Sequence, residues 1–364
     1  MRRRTFLDLL LKLPIALPLT APWLASSCST PSSTQPRRNL AFSADQGRNP
    51  EALSRFAFSS CNDVGGSQVM WKRMLDLDVQ LFAWLGDIVY ADTTDMRKMR
   101  ALYDRQLAHP EYQKLLAQVP VVGIWDDHDY GHDDAGREYP KRSESQKLLL
   151  DFLGESPDSK RRAQQGVYTS YDFSSESSSV RLILLDGRFH RDSPKTPGAD
   201  ILGADQWKWL EHQLTSSRAR ANLILTGYSV LSPRIPGAEQ WVNFPDAHRK
   251  LFEVIERSGA KGVLFLTGDR HFAGMMTGNS PSKRTYYELL ASGLNKRLEL
   301  DWARKGLEIV YGSANSVFEY NFGLVEIDWN QFQPELVFTA QGETGPLRLR
   351  KVFSLRRGEW VLVR

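Results

Sequence analysis

Three aspartates, Asp87, Asp127 and Asp269, each stand just after an apolar, strand-like run, in the stretches GDIVYAD from Gly86, WDDHDYG from Trp125 and TGDRH ending at His271. An unpaired carboxylate at the end of a buried strand carries a heavy desolvation cost unless a cation compensates it. One such aspartate ordinarily caps the loop or helix that follows it. Three of them, with histidines close by in sequence, point to a metal site. Tyr90 follows Asp87 by one strand-to-loop turn, which sets a phenol beside the carboxylate. A phenolate ligand calls for a hard, highly charged ion such as Fe(III); taken alone, Tyr90 reads as a packed aromatic. Cys61, closing the stretch FSSC, is either a thiolate ligand of the same site or an inert buried thiol. His128 is placed to donate to a departing oxygen. Asp269 and His271 face one way if the backbone there is extended, and would reach two adjacent cations. A satisfied core histidine is the alternative for either. With LDGR around Asp186, these stretches are expected to converge on one dinuclear centre.

The elements that must hold these residues alternate. Strands are expected near residues 55–60, 80–85, 119–125, 180–185, 222–226 and 263–267, and helix-period segments over 67–75, 94–107, 143–153, 204–214 and 244–257 separate most of them. An open α/β sheet presents ligand-binding groups at the carboxyl ends of its strands, which is where every one of the five stretches falls. From Tyr286 onward the runs 286–291, 307–311, 322–329, 334–339 and 347–353 look strand-like and predict a second, more antiparallel sheet. There is no internal repeat and no linker after residue 55.

With 364 residues, 41% hydrophobic and 25% charged, the chain exceeds one small core and indicates a single large domain over 51–364. Of its formal charge of +4, Arg2, Arg3, Arg4 and Lys12 against Asp8 contribute a net +3 within a leader, so the body carries about +1 and no nucleic-acid-binding surface is expected. That leader, residues 1–28, has Arg3-Arg4-Thr5-Phe6-Leu7 followed by an apolar run to Leu24. It resembles a twin-arginine export signal, broken by Pro14, Pro18 and Pro22 and too short for a membrane span. Cys28 after Leu24-Ala25-Ser26-Ser27 is similar to a lipoprotein cleavage box, which makes it a candidate lipidation site and membrane attachment. Residues 29–50, rich in Ser, Pro, Thr and Gln, then form a flexible tether. The expected partner in export is the twin-arginine translocation machinery, and the expected location is the periplasm or cell envelope. With Cys28 at the leader boundary, Cys61 has no disulfide partner in the mature chain.

FSSC, LGDIVYAD, WDDHDYG, LDGR, LGADQWKWLEHQL and LTGDRHFAG occur in the order found in the alkaline phosphatase D (PhoD-like) family of calcineurin-type metallophosphatases, which the chain resembles over about residues 55–295. The resemblance implies an α/β fold, a four-layer αββα sandwich of two mixed sheets flanked by helices. It implies Fe(III) and Ca²⁺ as cofactors, with Cys61, Asp87, Tyr90 and His271 on iron, and Asp87 bridging to a calcium site completed by Asp127 and Asp269. His128 would sit by the phosphate, and Arg188, of LDGR, would help organise the catalytic pocket. Ordinary calcineurin-type enzymes carry Asn where Asp127 stands and His where Asp269 stands, and the carboxylates here suit a harder ion. Asp133 and Asp134, in HDDAG, are alternative carboxylates for the second metal. The implied activity is hydrolysis of a phosphate ester, diesters ahead of monoesters, by metal-activated water without a phosphoenzyme. A Cys61 thiol hydrolase with His128 or His271 as base leaves the aspartates without purpose. A non-catalytic envelope lipoprotein that binds phosphate-containing ligands is the other rival.

Overall fold

The computed structural model describes residues 52–175 and 178–364; the leader, Cys28 and the tether lie outside them. In chain order the strands are β1 (Arg55–Ser59), β2 (Phe82–Leu85), β3 (Val121–Ile124), β4 (Thr169–Ser174), β5 (Ser179–Leu184), β6 (Ala221–Thr226), β7 (Val263–Thr267), β8 (Ala273–Asn279), β9 (Thr285–Ala291), β10 (Ser316–Val317), β11 (Phe322–Asp328), β12 (Glu335–Gln341), β13 (Pro346–Arg356) and β14 (Glu359–Leu362). The helices are α1 (Met70–Asp76), α2 (Met96–Ala108), α3 (Pro110–Leu116), α4 (Asp127–Tyr130), α5 (Arg142–Phe152), α6 (Lys160–Ala163), α7 (Gly203–Ser216), α8 (Pro245–Ser258) and α9 (Asp301–Tyr311). Local chemistry sets several ends. Asp95 accepts the Arg97 N–H to cap α2, and Pro245 opens α8, which Gly259 closes in the left-handed conformation at φ 69°.

Two seven-stranded mixed sheets result, ordered β14-β13-β12-β11-β1-β2-β3 and β10-β8-β9-β7-β6-β5-β4. In the first, β1, β2 and β3 run parallel; in the second, β5, β6, β7 and β9 do. Strand alternation explains how the sheets stack. Leu182, Leu184, Leu223, Leu225, Leu264 and Leu266 enter a core shared with Phe58, Phe338 and other residues of the first sheet. Their alternates Ile183, Ile224 and Phe265 pack outward against Trp207 and Leu210 of α7 and Leu251, Phe252 and Ile255 of α8. On the outer face of the first sheet, Trp71 of α1 meets Phe82 and Trp84 edge-on at 5.4 and 5.3 Å. The architecture is two mixed sheets with helices outside, as the resemblance implies. Among the described residues no helix is long and apolar enough to cross a membrane.

Two expectations from the sequence are corrected. Residues 307–311 are the last turns of α9, because Leu307 and Tyr311 are buried four apart while Ile309 between them is exposed, a helical period rather than a strand's. The C-terminal strands do not make a separate sheet. Strands β11–β14 extend the first sheet through antiparallel pairing of β11 with β1, while β9 lies parallel to β7 in the second.

Candidate metal centre

Strands β1, β2, β3 and β7 end side by side at one edge of the two sheets, and the loops that leave them carry Cys61, Asp87, Asp127, Asp269 and His271. The backbone turns sharply there. Cys61, Asp87, Asp269 and His271 hold φ of 61°, 50°, 76° and 60°, the left-handed region that side-chain-bearing residues avoid. Strain of this kind persists only where surrounding structure enforces it, and it clusters at functional sites. It also corrects the expectation of extended backbone at Asp269 and His271. Gly86 makes the close approach possible: at φ 92° a Cβ there would fall 2.3 Å from that of Asp126.

The loops are tied to one another by buried polar groups. Asn62 donates to the Ile88 carbonyl and to Gln106 Oε1, while its own Oδ1 accepts from Gln68 and Asn295. Asp129 accepts the Ile88 and Asp126 N–H groups, and its burial raises it to about 7. Asp186, of LDGR, accepts from Trp125 Nε1 and from the backbones of Val167, Arg188 and Phe189, which makes it a loop organiser rather than a ligand.

At the centre, ligand atoms of Asp87, Asp127 and His128 lie within 4.8 Å of one another, and those of Asp127, Asp133 and Asp134 form a second such group. Tyr90 donates its hydroxyl to Asp87 Oδ2 at 3.0 Å, and Cys61 Sγ lies 3.5 Å from the same oxygen. His271 and Asp269 stand outside both carboxylate groups. The His271 ring stacks 6.3 Å from that of Tyr90, and Asp269 is tied in through its N–H to Ser60 Oγ and its carbonyl, 3.5 Å from Cys61 Sγ. His271 Nδ1 faces the Lys296 carbonyl at 2.9 Å, which accepts only, so Nδ1 carries the proton and Nε2 keeps its lone pair. Burial lowers this histidine to about 4, hence a neutral imidazole. The Lys296 ammonium sits over the Tyr90 ring.

His128 has the opposite character. Burial works against its charge, but Asp87, Asp127 and Asp92 outweigh it and raise the ring to about 9. Its Nδ1 meets Asp92 Oδ1 at 2.7 Å. Asp87, buried beside Asp127, is pushed up to about 8. Asp127, despite burial, is held low by Arg188 and His128. The Cys61 thiol is raised by burial and then by Asp87, which makes it a poor nucleophile and counts against the thiol hydrolase.

These groups fit a cation centre. Asp87 Oδ1, Asp127 Oδ1 and Asp126 Oδ2 are buried with no hydrogen-bond partner, three orphaned acceptors in one place. Crowded carboxylates that resist ionisation together are the state that bound positive charge relieves. Thiol and phenol meet Asp87 at Oδ2, and Asp127 and His128 lie within ligand distance of it.

The sequence model of PhoD-like phosphatases matches residues 56–331. The chain belongs to that family. Alkaline phosphatase D of Bacillus subtilis (strain 168) is 22% identical over 273 residues, covering 59% of this chain and 45% of the relative, so the chain spans less than half the length of that curated relative. Among solved structures, that of PhoD superposes with a TM-score of 0.69 at 16% identity, over 87% of this chain and 72% of PhoD. GAP50, the anchor in the inner membrane complex of Plasmodium, gives 0.53 at 11% identity over 85% and 91%. A dimetal phosphatase from Danio rerio gives 0.50 at 15% identity over 84% and 100%.

In this PhoD-like chain Arg188 is enclosed by acidic groups. Arg188 is 0% exposed; its Nε meets Asp126 Oδ1 at 2.6 Å, its other nitrogens clasp Glu239, and Nη2 lies 3.6 Å from Asp127 Oδ1. It ties the Asp126–Asp127 loop to Glu239. Arg191 shares Glu239 with it. Asp92, Asp126 and Asp129 sit inside the motifs that carry Asp87 and Asp127, and the density of acidic residues there was the available signal. Glu239, in a loop after β6, has none.

Proposed function

We propose that the chain is an exported, metal-dependent phosphoric ester hydrolase acting on phosphodiesters or phosphomonoesters. The observation that carries this reading is the set of orphaned carboxylate oxygens of Asp87 and Asp127 beside a cationic His128. Cys61, Asp87, Tyr90 and His271 would hold one ion, for which thiolate, phenolate and imidazole together favour Fe(III). Asp87, Asp127 and Asp269, with Asp133 or Asp134 in reach, would hold an oxygen-seeking ion such as Ca²⁺. When bound, the pair would supply charge neutralisation for the phosphoryl group and the activation of water.

The remaining work falls to side chains. His128, oriented by Asp92 and carrying its proton, donates from Nε2 to the departing oxygen. His271 is neutral and committed through Nδ1 to a carbonyl, so it takes no part in proton transfer. Arg188 and Glu239 keep the Asp126–Asp127 loop in place. Export rests on the Arg3-Arg4 leader, and attachment to the envelope on Cys28. Metal analysis of the purified mature protein, paired with hydrolysis of an aryl phosphodiester and an aryl phosphomonoester, tests the reading. Iron in the protein and loss of turnover on chelation are expected; full turnover in a metal-free preparation would overturn it.

A further inference from the structure

Arg270 stands between Asp269 and His271, and nothing above uses it. The two arginines buried at the carboxylate loop end on carboxylates: Arg188 on Asp126 and Glu239, Arg191 on Glu239. Arg270 is half-buried, and its Nη1 is enclosed with no hydrogen-bond partner among the described residues. A guanidinium N–H in that position is a donor held ready for an acceptor the chain does not provide. The Arg270 charge is the largest that acts on the neighbouring Asp269 carboxylate, which places the guanidinium beside the carboxylate centre.

The orphaned N–H donates, so the missing partner accepts, and a guanidinium selects an oxyanion over a neutral carbonyl. We infer that Arg270 is a substrate-binding residue that takes a non-bridging oxygen of the phosphate ester beside the metal centre. This rests on the phosphoric ester hydrolase reading for its substrate but on separate atoms for its evidence. It also accounts for an arginine placed among carboxylates without neutralising any of them by direct contact: its charge is available to the incoming phosphate, whose negative oxygens would otherwise meet Asp127 and Asp269.

The test uses the metal-loaded mature protein and inorganic phosphate as probe, by calorimetry and by the rise in melting temperature that phosphate produces. Arg270→Ala is expected to weaken phosphate binding by about tenfold or more and to raise KM for an aryl phosphate in parallel, with metal content and the phosphate-free melting temperature unchanged. Arg270→Lys should recover part of the affinity. If the alanine variant fails to fold, Arg270→Gln, similar in length and uncharged, gives the same reading. Phosphate affinity equal to wild type in a folded, metal-loaded, active Arg270→Ala protein overturns the inference and leaves the hydrolase reading standing. A wild-type protein that holds metal and phosphate but hydrolyses no ester, with phosphate lost in the variant, overturns the hydrolase reading and supports the clamp.

Discussion

Asp92 fixes His128. The carboxylate accepts from Nδ1 at 2.7 Å, so the ring is held in one orientation with Nε2 toward the centre, and the same negative charge helps keep the ring protonated. A partner of this kind ordinarily affects activity by 10- to 100-fold through orientation and proton affinity. Asp92→Ala is therefore expected to lower kcat by roughly that factor while KM moves little, since Asp92 acts through His128. Asp92→Asn, which keeps an acceptor but not the charge, should fall between. Steady-state kinetics over pH check both: the alkaline fall in kcat should come at lower pH in the alanine variant, because removing a carboxylate from beside His128 lowers its proton affinity. An unchanged profile would show that Asp92 does not control this proton. At this scale the sequence was readable for the ligand-type residues and silent on their partners. Cys61, Asp87, Tyr90 and Asp127 come together because chemistry-bearing residues at strand ends have few other uses. The part played by Asp92 depends on a loop path that no spacing encodes.

The loop after β6 carries Glu239 back to Arg188 and Arg191, which belong to the loop after β5, and Arg188 in turn grips Asp126 and approaches Asp127 at the end of β3. One carboxylate thus couples three connections from two sheets. Removing one member of a buried ion network leaves the others charged and unpaired, which typically costs about 3–5 kcal/mol. Glu239→Ala should lose stability on that scale, measured by denaturant unfolding, and should also loosen the Asp127 loop enough to reduce metal content. A double variant, Glu239→Ala with Arg191→Met, is expected to regain part of the loss because one stranded cation is gone. Helices α1, α2, α5, α7 and α8 and the parallel strands were legible from apolar periodicity, but the short α3, α4 and α6 were not, and neither were residues 307–311, since a short apolar run fits a strand or the last turn of an amphipathic helix equally well. Strands β4 and β8 escaped for a related reason. TSYDFS is polar on its alternate positions and AGMMTGN is rich in glycine, so each becomes a strand through tertiary pairing, β4 with β5 and β8 with β9.

At the scale of the whole molecule, two stacked sheets present at one end a group of acids that do not share the space comfortably without positive charge. Parallel pairing of β2 with β3 brings Asp87, Asp127 and Asp129 together at the carboxyl ends of neighbouring strands. The resemblance carried by the motifs led to this fold because the motifs are the strand ends; which C-terminal strand joined which sheet depended on long-range register that local pattern does not contain. The cost of the arrangement has a definite pH signature. Asp87 titrates at about 8 in the folded chain, against about 3.9 for a free aspartate, because burial and then the Asp127 charge oppose its ionisation. A folded-state pKa raised in this way means that the contribution to stability is complete below the unfolded value and is lost as pH rises through the folded one. The chelated protein should therefore melt at progressively lower temperature from about pH 4 to pH 8. Asp87→Asn, which cannot ionise, should flatten that slope, with its chelated form more stable than chelated wild type near pH 8. Adding metal back should reverse the order, since bound cations favour the ionised carboxylate and the amide supplies a weaker ligand. Differential scanning calorimetry of both proteins, with and without chelator across this range, decides it: parallel curves for wild type and Asp87→Asn would mean that the carboxylate cluster stores no such strain, and that metal binding at this edge is not what its charge was assembled for.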